Sequence, residues 1–191
     1  MVVYFKEQGE KNTRKVLELC IKRAQEISSG KLVISSTRGK SAELALQMVE
    51  STGIELIIVT HSVGFKEADK DEFDPLVRKK LKEKGHKVLT ATHLFAGVDR
   101  ALRKKFGGIY PNDIVATALK MFSPGTKVAF EIAMMAADAG LISTKEWVIA
   151  AGGTEKGLDT AFVIRPAHSS NFWDLEFGEL ICIPSRFAGE E

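Results

Sequence analysis

The sequence predicts an α/β protein: a three-layer α/β/α sandwich around a mixed, mostly parallel sheet, built as one domain over residues 1–191. Two observations carry this expectation. Short apolar, β-branched runs alternate with segments whose apolar residues recur every three or four positions, which is the pattern of strands joined by crossover helices. The last three apolar runs have only short links between them, so some of these strands are expected to run antiparallel.

The elements follow in order along the chain. Asn12 or Thr13 can cap a first helix in which Val16, Leu19, Cys20, Ala24 and Ile27 share a face, and Gly30 ends it. KLVISS is a buried strand. SAELALQMVES is helical, with Ala42, Ala45, Leu46 and Val49 on one side, and stops at Gly53. IELIIVT is the next strand. A longer polar connection, HSVGFKEADKDEF, leads to Asp74 and Pro75, an N-cap and first-turn pair, and Gly85 closes that helix. HKVLTAT is a third strand.

The middle of the chain is read as two helices. One follows YPND as an amphipathic helix whose apolar stripe is Ile114, Ala118, Met121 and Phe122, SPG breaks it, and KVAFEIAMMAADAG follows with Val128, Ile132, Met135 and Ala139 inward. EWVIAAGG, DTAFVIRPA and GELICIPS supply strands four to six. No internal repeat, low-complexity tract or linker divides the chain, and 191 residues suit a single core.

Composition narrows the function classes. Hydrophobic residues make up 45% of the chain, which excludes a disordered tail, and the formal net charge of +2 creates no field that demands nucleic acid. The basic run VRKKLKEKGHK reads as the solvated side of its helix and the cations of DRALRKKFGG as ordinary surface charge, and no aromatic platforms are interleaved with either. Cys20 and Cys182 stand far apart in apolar surroundings, as small buried hydrophobes of a reducing compartment. The amino terminus lacks a signal-peptide core and no stretch is long enough to span a membrane, so a cytoplasmic protein is expected. Sparse amides beside abundant Lys and Glu suit a warm habitat.

In open α/β sheets ligands gather beyond the carboxyl ends of the strands. Four predicted strands bring polar or flexible residues to that edge: Ser35, Ser36 and Thr37; Thr60, His61 and Ser62; Thr90, Thr92 and His93; Gly152, Gly153 and Thr154. The first of these turns, SSTRGKSAELAL, has the chemistry of a phosphate site. Gly39 permits a tight turn, Ser41 opens a helix whose free N–H groups favour an anion, hydroxyls at Ser36, Thr37 and Ser41 can donate, and Arg38 and Lys40 can neutralise charge. It is not a P-loop, which would need a glycine at Ile34.

This turn together with IELIIVT resembles the first βαβ unit of the carboxyl-terminal α/β domain of pyruvate kinase. There a turn with a glycine, a cation, a hydroxyl residue and an alanine in succession holds a phosphate of the sugar bisphosphate activator. Ser36, Gly39, Lys40, Ser41 and Ala42 fall on the pattern, with Ser36 where the family has Thr and Arg38 where it has a small residue. VIAAGGTEKGLDTAFVI is similar to the late strand, loop and following strand of the same domain, with Gly153, Gly157 and Thr160 on matching positions. The resemblance implies that this loop folds over a ligand, with Lys156 serving its charge and Asp159 accepting from a ligand hydroxyl.

Stand-alone proteins of this kind are known mainly from archaea, and some are associated with flavin mononucleotide (FMN). The resemblance therefore implies a small phosphoryl-ligand-binding protein, with FMN held by the 35–42 and 152–160 loops. Its phosphate would lie on residues 36 to 41, and HSVGF would offer His61, Gly64 and Phe65 to the ring. Phe65 can equally anchor its loop. Kinase activity is not expected, because the β/α barrel that carries it does not fit in this length. Kinase relatives assemble through this domain type, so a homo-oligomer is a further expectation, with Trp147 and Trp173 as core or contact residues.

Two alternatives stay open: a flavin-dependent or phosphometabolite-transforming enzyme, and a regulatory domain that senses a sugar phosphate. His61 and His93, each after a strand, are the acid–base candidates. Glu131 interrupts an apolar helix and can face solvent, pair with a cation, or meet a ribityl or sugar hydroxyl. No metal site is expected, since no element carries ligand spacing. His86 and His168 read as structural.

Overall fold

The computed structural model describes residues 1–189. Seven strands form one sheet in the order β1-β7-β6-β5-β2-β3-β4. They are β1 (Val3–Phe5), β2 (Lys31–Ser35), β3 (Glu55–Thr60), β4 (Lys87–Thr90), β5 (Val148–Gly152), β6 (Thr160–Arg165) and β7 (Glu176–Pro184). Among the described residues six α-helices accompany them: α1 (Thr13–Glu26), α2 (Lys40–Met48), α3 (Pro75–Glu83), α4 (Val98–Phe106), α5 (Pro111–Lys120) and α6 (Pro124–Asp138).

Strands β5, β2, β3 and β4 are mutually parallel, as crossover helices require. Strand β6 is antiparallel to β5 and to β7, which the short links at that end of the sequence foretold. Strand β1 was not foreseen. Its three residues carry no period of their own, and they become a strand by pairing parallel to β7, Val3 opposite Cys182.

Alternation along the central strands divides two apolar layers. Leu32, Ile34, Leu56, Ile58, Ile149 and Ala151 face α1, α2 and α3, where Val16, Leu17, Ala42, Leu46, Val77 and Leu81 meet them. Val33, Ile57, Val59, Val148 and Ala150 face the opposite side, against Ala129, Ile132, Ala133 and Ala136 of α6. Each fully buried Leu or Ile contributes about 2 kcal/mol by removal from water. These two layers make the sheet the middle of a three-layer sandwich, and they hold the carboxyl ends of β2, β3 and β4 side by side.

The helical middle departs from expectation in two ways. DRALRKKF belongs to a helix, α4, which buries no residue and ends before Gly107. The apolar stripe of α5 is exposed at Ile114, Ala118, Met121 and Phe122, and Ala116 is the buried residue of that helix. The spacing marked an apolar stripe correctly, but α6 lies between α5 and the sheet and takes the core-facing role, buried over most of its length. Ala139 closes α6 in an exposed position. Trp147 and Trp173 are also exposed, so the core reading of these residues is corrected. Among the described residues no helix is long and apolar enough to cross a membrane.

Candidate functional site

The chain leaves β2 through Ser35 and turns through residues 36 to 39 into α2. Ser36 is buried, donates its N–H to Val59 O at 3.0 Å and accepts at Oγ from the Ala42 N–H at 3.3 Å, so it ties the turn to β3 and to the helix it precedes. Gly39 has φ of 103°, a left-handed conformation costly for a residue with a Cβ. A Cβ there would also touch Asp74 and Val77 at 3.4 Å, because α3 packs beside the turn. The consequence is a run of donors: among the described residues, the N–H groups of Thr37, Arg38, Gly39, Lys40 and Ser41 have no acceptor. Lys40 projects into solvent, 86% exposed, and lies 3.8 Å from Glu10. Ser41 is buried.

Strand β3 delivers Thr60 and His61 beside this turn. Thr60 is buried, with Oγ1 2.8 Å from Thr90 Oγ1 at the end of β4, so it locks the neighbouring strand ends together. Half-buried His61 sits between two partners. Its Nε2 is 3.3 Å from Thr37 Oγ1 and its Nδ1 is 3.0 Å from Glu72 Oε2. A carboxylate can only accept, so Nδ1 carries a proton toward Glu72, and in the neutral imidazole Nε2 then accepts from the Thr37 hydroxyl. Glu72 is only 9% exposed at its side chain and has two further cations nearby, Arg38 Nε and Lys66 Nζ, each 3.9 Å from Oε1.

The connection from His61 to Asp74 folds back over the same edge. Phe65 stacks on His61 with ring centroids 4.0 Å apart, and the Arg100 guanidinium of α4 covers Phe65 at 4.7 Å. Both are loop-anchoring contacts. Gly64, exposed at φ of 76°, turns this loop, while Thr92 is exposed beyond β4.

His93 lies 5.2 Å from His61, centroid to centroid. Its Nε2 donates to Thr60 O at 3.3 Å and its Nδ1 faces Glu131 Oε2 at 3.5 Å. Burial pushes the His93 imidazole below its ordinary pKa, and the Glu131 carboxylate only partly offsets that. Glu131 is fully buried on α6. It accepts from the Phe95 N–H at 3.0 Å and pairs with Lys127 one turn earlier. Of the readings open for this acid, pairing with a cation is the one realised, and both oxygens are engaged within the chain.

The 152–160 loop is built differently. Asp159 is fully buried: Oδ2 accepts from Gly9 N–H at 2.9 Å and Thr154 N–H at 3.1 Å, while Oδ1 accepts from Thr160 Oγ1 at 2.8 Å. Thr160 is likewise buried, with Ser123 Oγ 2.9 Å away. Asp159 and Thr160 therefore organise the loop and present nothing to a ligand. Gly152 and Gly153 allow other backbone to close on them. A Cβ at Gly152 would lie 2.9 Å from Ala129 N, and one at Gly153 would lie 2.8 Å from Gly157 C. Gly157 is covered in turn by Glu10, since a Cβ there would lie 2.5 Å from its Cα. Lys156 is exposed, and Thr154 Oγ1 is buried without a hydrogen-bond partner.

The structure thus brings the 35–41 turn, His61, Phe65 and His93 into one cluster, and packs the 152–160 loop, which leaves the neighbouring strand β5, against residues 9 and 10. Glu72 was not singled out in the sequence, where it is one acid among several in KEADKDEF. Only the folding back of that connection aims it at His61. A cleft of about 540 Å³ lies at the other end of the sheet, where α2 and α3 finish, lined by Leu46, Glu50, Glu55 and Lys84 among others. Among the described residues no group of three or more His, Cys, Asp or Glu is placed to hold a metal.

The family model described as pyruvate kinase, alpha/beta domain, matches residues 14–164, which runs from the first turn of α1 almost to the end of β6 and includes both loops described above. That match spans most of the 191 residues, and the chain belongs to the pyruvate kinase alpha/beta domain family.

Proposed function

We propose that the protein binds a phosphate-bearing small ligand on the 35–42 turn, with FMN the first candidate. The observation that carries this reading is the series of unpartnered N–H groups from Thr37 to Ser41, at the amino end of a nine-residue helix and beside the solvent-exposed Lys40. Consecutive N–H groups around a left-handed residue form a concave anion site, and the helix dipole reinforces it.

FMN fits the residues present in two respects. Phe65 and His61 place two aromatic rings, packed on each other at 4.0 Å, beside the turn. Thr154 Oγ1 is a buried hydroxyl still lacking a partner. In this reading Thr37, Gly39, Lys40 and Ser41 bind the phosphate, His61 and Phe65 flank the ring, and Gly153, Thr154 and Lys156 approach from the second loop. Bound FMN would supply one- or two-electron redox chemistry. Glu131, Asp159 and Thr160 act by holding the loops in place and are not ligand contacts.

The test is direct titration of the purified protein with FMN, riboflavin and inorganic phosphate, preceded by a visible absorption spectrum for carried-over flavin. FMN binding that phosphate displaces, with riboflavin binding much more weakly, supports the assignment. Equal affinity for riboflavin and FMN would remove the phosphate turn from the site.

A further inference from the structure

We propose that Thr37, His61 and Glu72 form a hydroxyl–imidazole–carboxylate relay that makes the Thr37 hydroxyl a nucleophile toward carboxylic esters carrying an anionic group. The choice of an anionic ester rests on the anion-binding reading of the same turn. The relay itself does not.

The geometry has the three parts such a device needs. A hydroxyl lies within reach of an imidazole nitrogen, Thr37 Oγ1 to His61 Nε2 at 3.3 Å. The other ring nitrogen is held by a carboxylate, His61 Nδ1 to Glu72 Oε2 at 3.0 Å. That bond fixes the tautomer in which Nε2 accepts a proton, and it stabilises the imidazolium formed when Nε2 does so. The longer of the two distances is at the loose end of hydrogen bonding, as is common before substrate closes a site.

Other contacts hold the ring and the acid in place. Phe65 packs on the imidazole at 4.0 Å, and Glu72 is almost wholly covered while still near Arg38 and Lys66. Thr37 itself is half-buried, following a strand and preceding a helix. The unpartnered N–H groups that follow it are donors available to an oxyanion.

The reaction balances with water as the only co-reactant. Thr37 Oγ attacks the ester carbonyl carbon, forming a C–O bond, as its proton passes to His61 Nε2. The tetrahedral adduct collapses, the bond to the leaving oxygen breaks, and the departing alcohol takes the proton from Nε2. Water then attacks the acyl-threonine, gives a proton to Nε2 and releases the carboxylic acid, and that proton returns to Thr37 Oγ. The net change is ester plus water to acid plus alcohol.

The experiment uses the full chain and p-nitrophenyl acetate, a neutral ester that tests the nucleophile without needing the anion site. The expected result is a burst of p-nitrophenolate and an acetyl group located by mass spectrometry on Thr37. Thr37→Val abolishes that burst and Thr37→Ser keeps it. Loss of the base in His61→Gln slows it at least ~100-fold. Glu72 is a positioning residue: Glu72→Gln slows the burst at least ~10-fold and Glu72→Asp restores part of it, with thermal unfolding of each variant recorded beside it. Acetylation confined to lysines, or an unchanged burst in folded Thr37→Val, overturns the relay. Inorganic phosphate should protect Thr37. Acylation of Thr37 that phosphate does not slow would uphold the relay and overturn the anionic substrate, together with the anion-binding reading.

Discussion

Glu131 Oε2 lies 3.5 Å from His93 Nδ1, and the same carboxylate is paired with Lys127 and bonded to the Phe95 N–H, all without access to water at Glu131. A buried acid in this position fastens α6 to the chain that leaves β4. Breaking such a pair by deleting one partner strands a charge. Lys127→Met is therefore expected to destabilise the fold by about 3 kcal/mol, read as a lower urea midpoint, whereas Glu131→Gln, which removes the charge and keeps an acceptor for Phe95, costs less. Equal midpoints for Lys127→Met and wild type would refute the role.

His93 gives a pH dependence of definite sign. Burial depresses its folded-state pKa below the ordinary 6.5, with Lys127 and His61 adding to the depression and Glu131 opposing it. The unfolded chain then binds the proton more readily than the folded one. Stability from this residue is complete above pH 6.5 and declines as the pH falls toward and through the depressed value. Unfolding free energies measured downward from neutral pH should fall, and His93→Gln should flatten that part of the profile.

Asp159 is a second buried acid with a structural assignment. It gathers Gly9, Thr154 and Thr160, so Asp159→Asn loses charge-assisted acceptors and should cost about 2–3 kcal/mol in unfolding free energy. Phosphate affinity of the folded fraction should stay within about threefold, since the turn of residues 35 to 41 is a separate element; an unfolding free energy equal to wild type would show the three bonds to be dispensable.

The phosphate turn makes a complementary prediction. Lys40 is an exposed cation, so Lys40→Ala should leave thermal stability nearly unchanged while weakening FMN binding more than ~10-fold. Ser41→Ala should also weaken it, with some stability loss because Ser41 is buried. Unaltered FMN affinity in Lys40→Ala would remove that cation from the site.

Both thiols should be inert in the native protein. Burial raises Cys20 well above its ordinary pKa and pushes Cys182 up to about 12, and it is the thiolate that reacts. Reaction with a disulfide reagent is expected to follow unfolding, rising steeply across the urea transition. Rapid native-state labelling of either residue would contradict their burial.

How far the sequence could be read differs from element to element. Strands β2 and β3 were legible because a fully apolar β-branched run between glycine-bearing turns has few other fates. The 35–41 turn was legible for a related reason: glycine, hydroxyls and a helix start are local chemistry, contained within one short stretch. Helix α4 was hidden because it buries nothing, so no core periodicity marked it, and the stripe on α5 was visible while its neighbour was not.

The amino-acid order by itself determined the alternation of strands and helices, the sandwich class and the strand ends that carry His61, His93 and the turn at Gly39. These depend on residue spacing over a few positions, where backbone geometry leaves little choice. Only the tertiary structure decided that Glu72 meets His61, that Thr37 completes the pair, and that Glu131, Asp159 and Thr160 are consumed internally. Those outcomes depend on which long connection folds back over which strand end, and a carboxylate has the same local signature whether it meets a ligand, a histidine or its own backbone.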